Sequence, residues 1–310
     1  MKLHLGLTPW NFSDLSAPSL CEQAQFAEAH GYESIWLPEN HFGENALPDP
    51  LTLLATIAGA TTKIRLGTTS YLLTLRNPLQ AAEQVAVLDQ LSGGRLILGV
   101  GRGYAPDMLK AFHVPAKEKR RIFAWTLGLM RDAWAGKPVS LDGDEDVAIE
   151  VHPRPRQQPE PPIWVAAFGP KALAQAGRLG LPYLCSPMES LATLEDNYGH
   201  HRMAAEGAGV EMPTIVPLMR TVFVSTDENR LLKVRTELAQ HSENARMKEG
   251  ESHEDWTIVG TPEQVLKKLD TYQTRLGMTH MVATRLRIGG IPEEALRESV
   301  ALLAQILSDD

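Results

Sequence analysis

Residues 64–104 read IRLGTTSYLLTLRNPLQAAEQVAVLDQLSGGRLILGVGRGY, and their pattern decides the fold. Apolar and β-branched residues over 64–71 predict one strand, and the run over 96–100 predicts another. Between them Ala81, Val85 and Leu88 recur at helical spacing. Asn77-Pro78 pairs a capping side chain with a proline at the first helical position, where its missing N–H costs nothing, and Ser92-Gly93-Gly94 stops the helix. This is strand, helix, strand: the repeating unit of a parallel sheet.

The same rhythm extends both ways. Strands are predicted over 2–7, 34–37, 163–167, 183–186, 214–224 and 279–284, each followed by a helical pattern. Asp49-Pro50 and Thr261-Pro262 repeat the cap-and-proline signal. Ser19-x-x-Glu22 reads as a capping box, with Gly31 at the helix stop. Eight strands, each paired with a helix, predict an α/β fold, a (β/α)8 TIM barrel, with residues 1–310 as a single domain. Two insertion loops interrupt it. Residues 142–162, acidic and then proline-rich, read as a loop or short hairpin, and the polar run 240–255 reads as a second loop.

Composition narrows the function. With 43% hydrophobic residues the chain can bury a core. Lys and Arg number 30 against 38 Asp and Glu, a net charge of −8, which gives no footprint for nucleic acid or an anionic membrane. A polar N-terminus and the lack of a long apolar run lead us to expect a cytoplasmic protein. Two cysteines, Cys21 and Cys185, stand in no metal or redox spacing. His200-His201 has no third ligand in view, and no metal site is expected. No lysine ends a candidate strand, and neither a nucleophile elbow nor a phosphate-binding P-loop occurs.

A barrel carries its chemistry at the C-terminal ends of its strands. Behind 34–37 comes Pro38-Glu39-Asn40-His41-Phe42, in which His41 can move a proton near neutral pH and Asn40 can hydrogen-bond a developing oxyanion. A loop histidine bonded only to backbone gives the same sequence. Behind 96–100, Gly101-Arg102-Gly103-Tyr104 lets backbone approach a ligand and offers a guanidinium suited to phosphate; a glycine-rich turn with a surface arginine reads identically. Behind 163–167, Gly169-Pro170 opens a helix whose first N–H groups can bind an anion. The hydroxyls of Thr68, Thr69 and Ser70 suit a site or simple turn chemistry.

At these residues the sequence resembles the bacterial luciferase-like family of flavin-dependent oxidoreductases. HGYESIWLPENHFG (30–43), residues 66–104, PPIWVAAFGPKALAQAGRLGLPYL (161–184), VGTPEQVLKKL (259–269) and GGIPEEAL (289–296) are similar to family segments in the same order. The resemblance implies FMN at the barrel mouth. Arg102 and the helix start at Phe168, Gly169 and Pro170 would hold its phosphate. Thr69 and Ser70 would lie against the ring, with a cis bond between them, and Tyr104 and Ala166 would line the pocket. His41 would handle protons and Asn40 orient the substrate. The family commonly carries two adjacent histidines where this chain has Asn40-His41. Acidic or hydroxyl phosphate ligands of luciferase are replaced at Phe168 and Gly169, which leaves more of the phosphate to backbone N–H groups. The implied activity is a two-component monooxygenase: a separate flavin reductase supplies reduced FMN, which acts with O2 on a small organic substrate. The alternatives are hydride transfer with F420 and a flavin-binding protein without turnover. A homodimer is expected.

Overall fold

A computed structural model describes residues 2–141, 147–240, 250–285 and 288–308. In chain order the elements begin with β1 (His4–Leu7), α1 (Ala17–Ala29), β2 (Ser34–Leu37) and α2 (Pro50–Ala60). Next come β3 (Arg65–Thr68), β4 (Tyr71–Leu72), α3 (Pro78–Leu91), β5 (Leu96–Gly101), α4 (Pro106–Ala111), α5 (Lys119–Trp134) and β6 (Ile163–Ala166). They are followed by α6 (Pro170–Arg178), β7 (Tyr183–Leu184), α7 (Leu191–Gly207), β8 (Pro217–Val224) and α8 (Glu228–Gln240). The last are β9 (Thr257–Gly260), α9 (Pro262–Leu276), β10 (His280–Thr284) and α10 (Glu293–Ser308). The chain clusters into two compact units, one of residues 37–166 and one of residues 1–36 with 167–310.

In the unit of residues 37–166, β5 is the centre. It pairs in parallel with β3, with β4 and with β6. All six of its residues are buried, as a parallel strand covered on both faces requires. The single strand expected over 64–71 is two. Leu66 pairs with Leu96, a sequence offset of 30, whereas Tyr71 pairs with Val100, an offset of 29. One extra residue is therefore absorbed between β3 and β4, as in a β-bulge. There the Thr68 hydroxyl donates to the Gly99 carbonyl at 2.7 Å, in place of a ladder bond. The Thr69–Ser70 peptide bond at this point is cis, as the resemblance implied.

In the other unit the parallel order is β9, β8, β10, β1, β2. β9 was not read from the sequence. Its four residues run straight into the Thr261-Pro262 cap and carry too short a pattern to separate from it.

The cap-and-proline signals hold. Asp49 accepts from Thr52 N, Asn77 from Leu79 N and Gln80 N, and Thr261 forms a capping box with Gln264. The box expected at Ser19 is not an end at all. Pro18 fixes the helical φ early, so α1 begins at Ala17 and Ser19 lies inside it. Within the first insertion, residues 142–146 lie outside the described residues. The remainder behaves as a short hairpin, with an antiparallel bridge between Val139 and Ile149. It is pinned down by the Arg131–Glu160 pair, with bonds of 2.7 Å, and by Gln157, which donates twice to buried Asp89. Of the second expected loop, residues 241–249 lie outside the described residues, and His253–Asp255 forms a 3-10 turn.

Trp36 Nε1 donates to Ser34 Oγ at 2.8 Å beside Gly6, where a Cβ would stand 2.6 Å from that hydroxyl and 2.8 Å from Trp36 Nε1. Gly6→Ala should therefore destabilise the protein by about 1–3 kcal/mol through overpacking, read as a lower urea midpoint at unchanged slope.

Candidate active site

The segment behind β2 turns one charged side chain fully inward. The Glu39 side chain has no solvent exposure. One oxygen accepts from Arg76 Nη1 at 2.8 Å and from His41 Nε2 at 3.0 Å; the other accepts the Leu72 N–H at 2.9 Å. A carboxylate only accepts, so Nε2 of His41 carries the hydrogen and Nδ1 is the nitrogen left to meet a ligand. Arg76 is itself fixed: Nη1 also donates to the Leu72 carbonyl at 2.8 Å, and its guanidinium lies 3.8 Å from the centre of the Tyr71 ring. Burial pushes the Tyr71 hydroxyl up to about 12, and the hydroxyl donates to Gln84.

His41 is capped by two aromatic rings. Phe112 meets it edge-on with centroids 4.8 Å apart, and Phe42 stacks on Phe112 at 5.7 Å. Asn40 is exposed; its Oδ1 accepts the Leu47 N–H at 2.6 Å and so closes the loop around the histidine.

Leu72 connects this cluster to the turn behind β5. Its side chain packs with Met108 and Leu109 of α4. Gly103 stands at φ 67°, a left-handed conformation that favours glycine, and a Cβ there would also press on Met108 Cε at 2.6 Å. A Cβ on Gly101 would collide with Ser70 Oγ at 2.1 Å, so the cis segment and the glycine turn touch. Thr69 Oγ1 is buried and has no hydrogen-bond partner among the described residues.

Arg102 is buried. Its Nη1 donates to the Ala166 carbonyl at 3.0 Å, its guanidinium covers the Phe123 ring at 4.3 Å, and its own carbonyl accepts from Thr74 at 2.8 Å. Burial first, and then Arg120, pushes its guanidinium down to about 10. Lys119 Nζ reaches the Gly103 carbonyl at 3.3 Å. Three cations thus surround the turn. Tyr104 projects outward, 67% exposed.

The unit of residues 37–166 thereby joins His41 to Glu39, the cis segment to Gly101, and Arg102 to Ala166. Phe168, Gly169 and Pro170 belong to the other unit, where Gly169 at φ 74° caps α6 and Pro170 opens it. The sequence reading passed over Glu39, Arg76, Lys119 and Arg120. Glu39 stood in the quoted cluster, but no local signal marks which of several polar neighbours turns inward. His201 is buried and bonds the Leu181 carbonyl at 2.9 Å, a structural role within α7.

A family model described as luciferase-like monooxygenase matches residues 4–280. The chain belongs to the luciferase-like monooxygenase family. It is 31% identical over 222 residues to an F420-dependent glucose-6-phosphate dehydrogenase of Amycolatopsis mediterranei, covering 68% of this chain and 65% of that protein. It is 29% identical over 224 residues to the oxygenase component of a flavin-dependent trigonelline monooxygenase of Acinetobacter baylyi, covering 68% and 60%. The matches therefore span less than two thirds of those relatives' lengths. Among solved structures, the oxygenating constituent of 3,6-diketocamphane monooxygenase from Pseudomonas putida, in complex with FMN, aligns with a TM-score of 0.83 at 17% identity over 100% of this chain and 99% of that one. That likeness establishes the fold, the α/β TIM barrel of the luciferase-like enzymes.

Glu39→Ala would leave Arg76 and His41 around an emptied carboxylate site. It should cost about 3–5 kcal/mol in chemical denaturation, with Glu39→Gln, which keeps an acceptor, losing less. Equal, small losses in both variants would show that the carboxylate holds nothing in place.

Proposed function

We propose that this chain is a flavin-dependent oxidoreductase, the oxygenating component of a two-component monooxygenase that receives reduced FMN from a separate reductase and acts with O2 on a small organic substrate. The observation that carries this reading is the buried Thr69 hydroxyl, without a partner among the described residues, beside the Gly101 turn that Ser70 touches. A buried polar group left unsatisfied costs about 1–3 kcal/mol, and the polar edge of a flavin ring would satisfy it.

Thr69 and Ser70 would lie against the ring, and Tyr104 and Ala166 would line the pocket. Arg102, with Lys119 and Arg120 around the same turn, suits the phosphate. The backbone at the start of α6, at Phe168, Gly169 and Pro170, suits a phosphate too, through the N–H groups of Phe168 and Gly169 and those that follow Pro170. The bound flavin would supply two electrons to O2, one oxygen atom passing to the substrate and the other to water. The chain's own residues do the rest. Glu39 holds His41 by Nε2, so Nδ1 gives and takes the proton. Phe42 and Phe112 flank its ring. Asn40, with its oxygen engaged by Leu47 N, would contact the substrate through its amide nitrogen.

F420-dependent hydride transfer is the second reading, favoured by the polar Asn40 preceding His41 and by the 31% identity to an F420-dependent enzyme. Titration with FMN, reduced FMN and F420 separates the two. FMN should bind, and Arg102→Ala should weaken it by about 1.5–3 kcal/mol, the range for a hydrogen bond to a charged group. Unchanged affinity in that variant would remove Arg102 from the site.

His41→Ala should slow incorporation of 18O from 18O2 into a turned-over substrate by roughly 10²–10⁴-fold with FMN affinity retained. Wild-type rates in that variant would reduce His41 to a brace of its loop, and failure of any substrate to acquire label would overturn the monooxygenase reading in favour of hydride transfer or flavin binding without turnover.

A further inference from the structure

The two phenylalanines above His41 have a consequence for what the site accepts. Phe42 is 70% exposed and sits at φ 67°, a backbone conformation that residues with a side chain seldom occupy. Such outliers persist where the surroundings fix them, and they cluster at ligand sites. Phe112, 38% exposed, is held from below. It is the C-cap residue of α4, with its N–H on the Met108 carbonyl at 3.1 Å, and α4 is anchored through Met108 and Leu109 to Leu72. The residue after it, His113, is also left-handed, at φ 55°. The backbone that carries each ring is therefore held in a defined conformation. They stack with an interplanar angle of 24°, which leaves the outer face of Phe42 bare.

Underneath, Leu72, Met108 and Leu109 are buried, with Leu75, Ala105 and Val114 partly buried against them. The large hydrophobic side chains that the loops behind β2, β5 and α4 leave exposed are aromatic, namely Phe42, Tyr104 and Phe112. An aromatic face prefers another ring, offset or edge-on, over an equal area of aliphatic surface. Below the rings, Nε2 of His41 is committed to Glu39, so neutral His41 offers Nδ1 as an acceptor. A ligand that meets both features has a flat ring for Phe42 and a hydroxyl to donate to His41.

We infer that the substrate is a planar hydroxyaromatic compound, its ring stacked on Phe42 and its hydroxyl donating to Nδ1 of His41. This rests on the flavoenzyme reading for the word substrate; the binding platform stands on the rings alone.

Three probes test it on the full chain by calorimetric titration: 2-naphthol, trans-2-decalol with the same carbon skeleton and hydroxyl but no ring current, and 2-methoxynaphthalene, which cannot donate. Wild-type protein should bind 2-naphthol roughly 2- to 10-fold more tightly than decalol, the range that aromatic pairing adds over burial. It should bind the methoxy compound weaker than 2-naphthol by a similar factor, for one lost hydrogen bond. Phe42→Leu, exposed and so tolerated, should erase the preference for naphthol over decalol, and Phe42→Tyr should keep it. Equal affinity for naphthol and decalol in wild type, no naphthol binding at its solubility limit, or a preference that survives in Phe42→Leu overturns the inference. FMN titrated into the same samples keeps the two readings apart: loss of FMN binding by wild type defeats the flavin reading, whereas the probe preferences decide the platform.

Discussion

Burying a carboxylate is affordable only when hydrogen-bond donors replace the water it loses, and Glu39 meets that condition with three donors from three different places in the chain. His41 is two residues away, Leu72 follows the cis segment, and Arg76 follows the 3-10 turn Leu73–Leu75. Each donor is thereby fixed relative to the others. Leu72, once its N–H is held, presents its side chain to Met108 and Leu109, and these set α4 and hence Phe112. The aromatic cover of His41 is the far end of a series that starts at a buried charge.

The glycine turn behind β5 fits into the same series from the other side. Gly101 allows Ser70 to lie against it and Gly103 makes room for Met108, so β5 can end within reach of both the cis segment and α4. Arg102 lies between these two glycines with its side chain drawn in over Phe123. Its depressed pKa, caused mainly by lost solvation, marks a cation whose surroundings do not favour its charge.

A comparable solution appears in the unit of residues 1–36 and 167–310. Glu189 accepts from Tyr183 Oη, Ser186 N and Asn197 Nδ2, while Arg220 donates to the Ser186 and Glu189 carbonyls and to Tyr272. These bonds fix the segment behind β7. Both units use a buried charge to define a loop that hydrophobic packing alone would leave adjustable, because dispersion contacts lack the direction that hydrogen bonds have.

The sequence by itself determined the alternation of strand and helix and the proline-marked helix starts at Pro50, Pro78, Pro170 and Pro262. All of these follow from local chemistry: the period of apolar residues, a fixed φ, a missing N–H. It also brought Asn40, His41, Thr69, Ser70, Arg102 and Gly169 into view, because they directly follow strands. Tertiary structure alone decided which of them turn inward and against what. That Glu39 rather than Asn40 holds His41, that Phe112 covers it from 71 residues away, that 64–71 splits into two strands, and that Lys119 and Arg120 gather at the turn of Arg102 all depend on contacts between distant segments. Sequence periodicity is blind to such contacts, since the energy that selects them exists only once the segments have met.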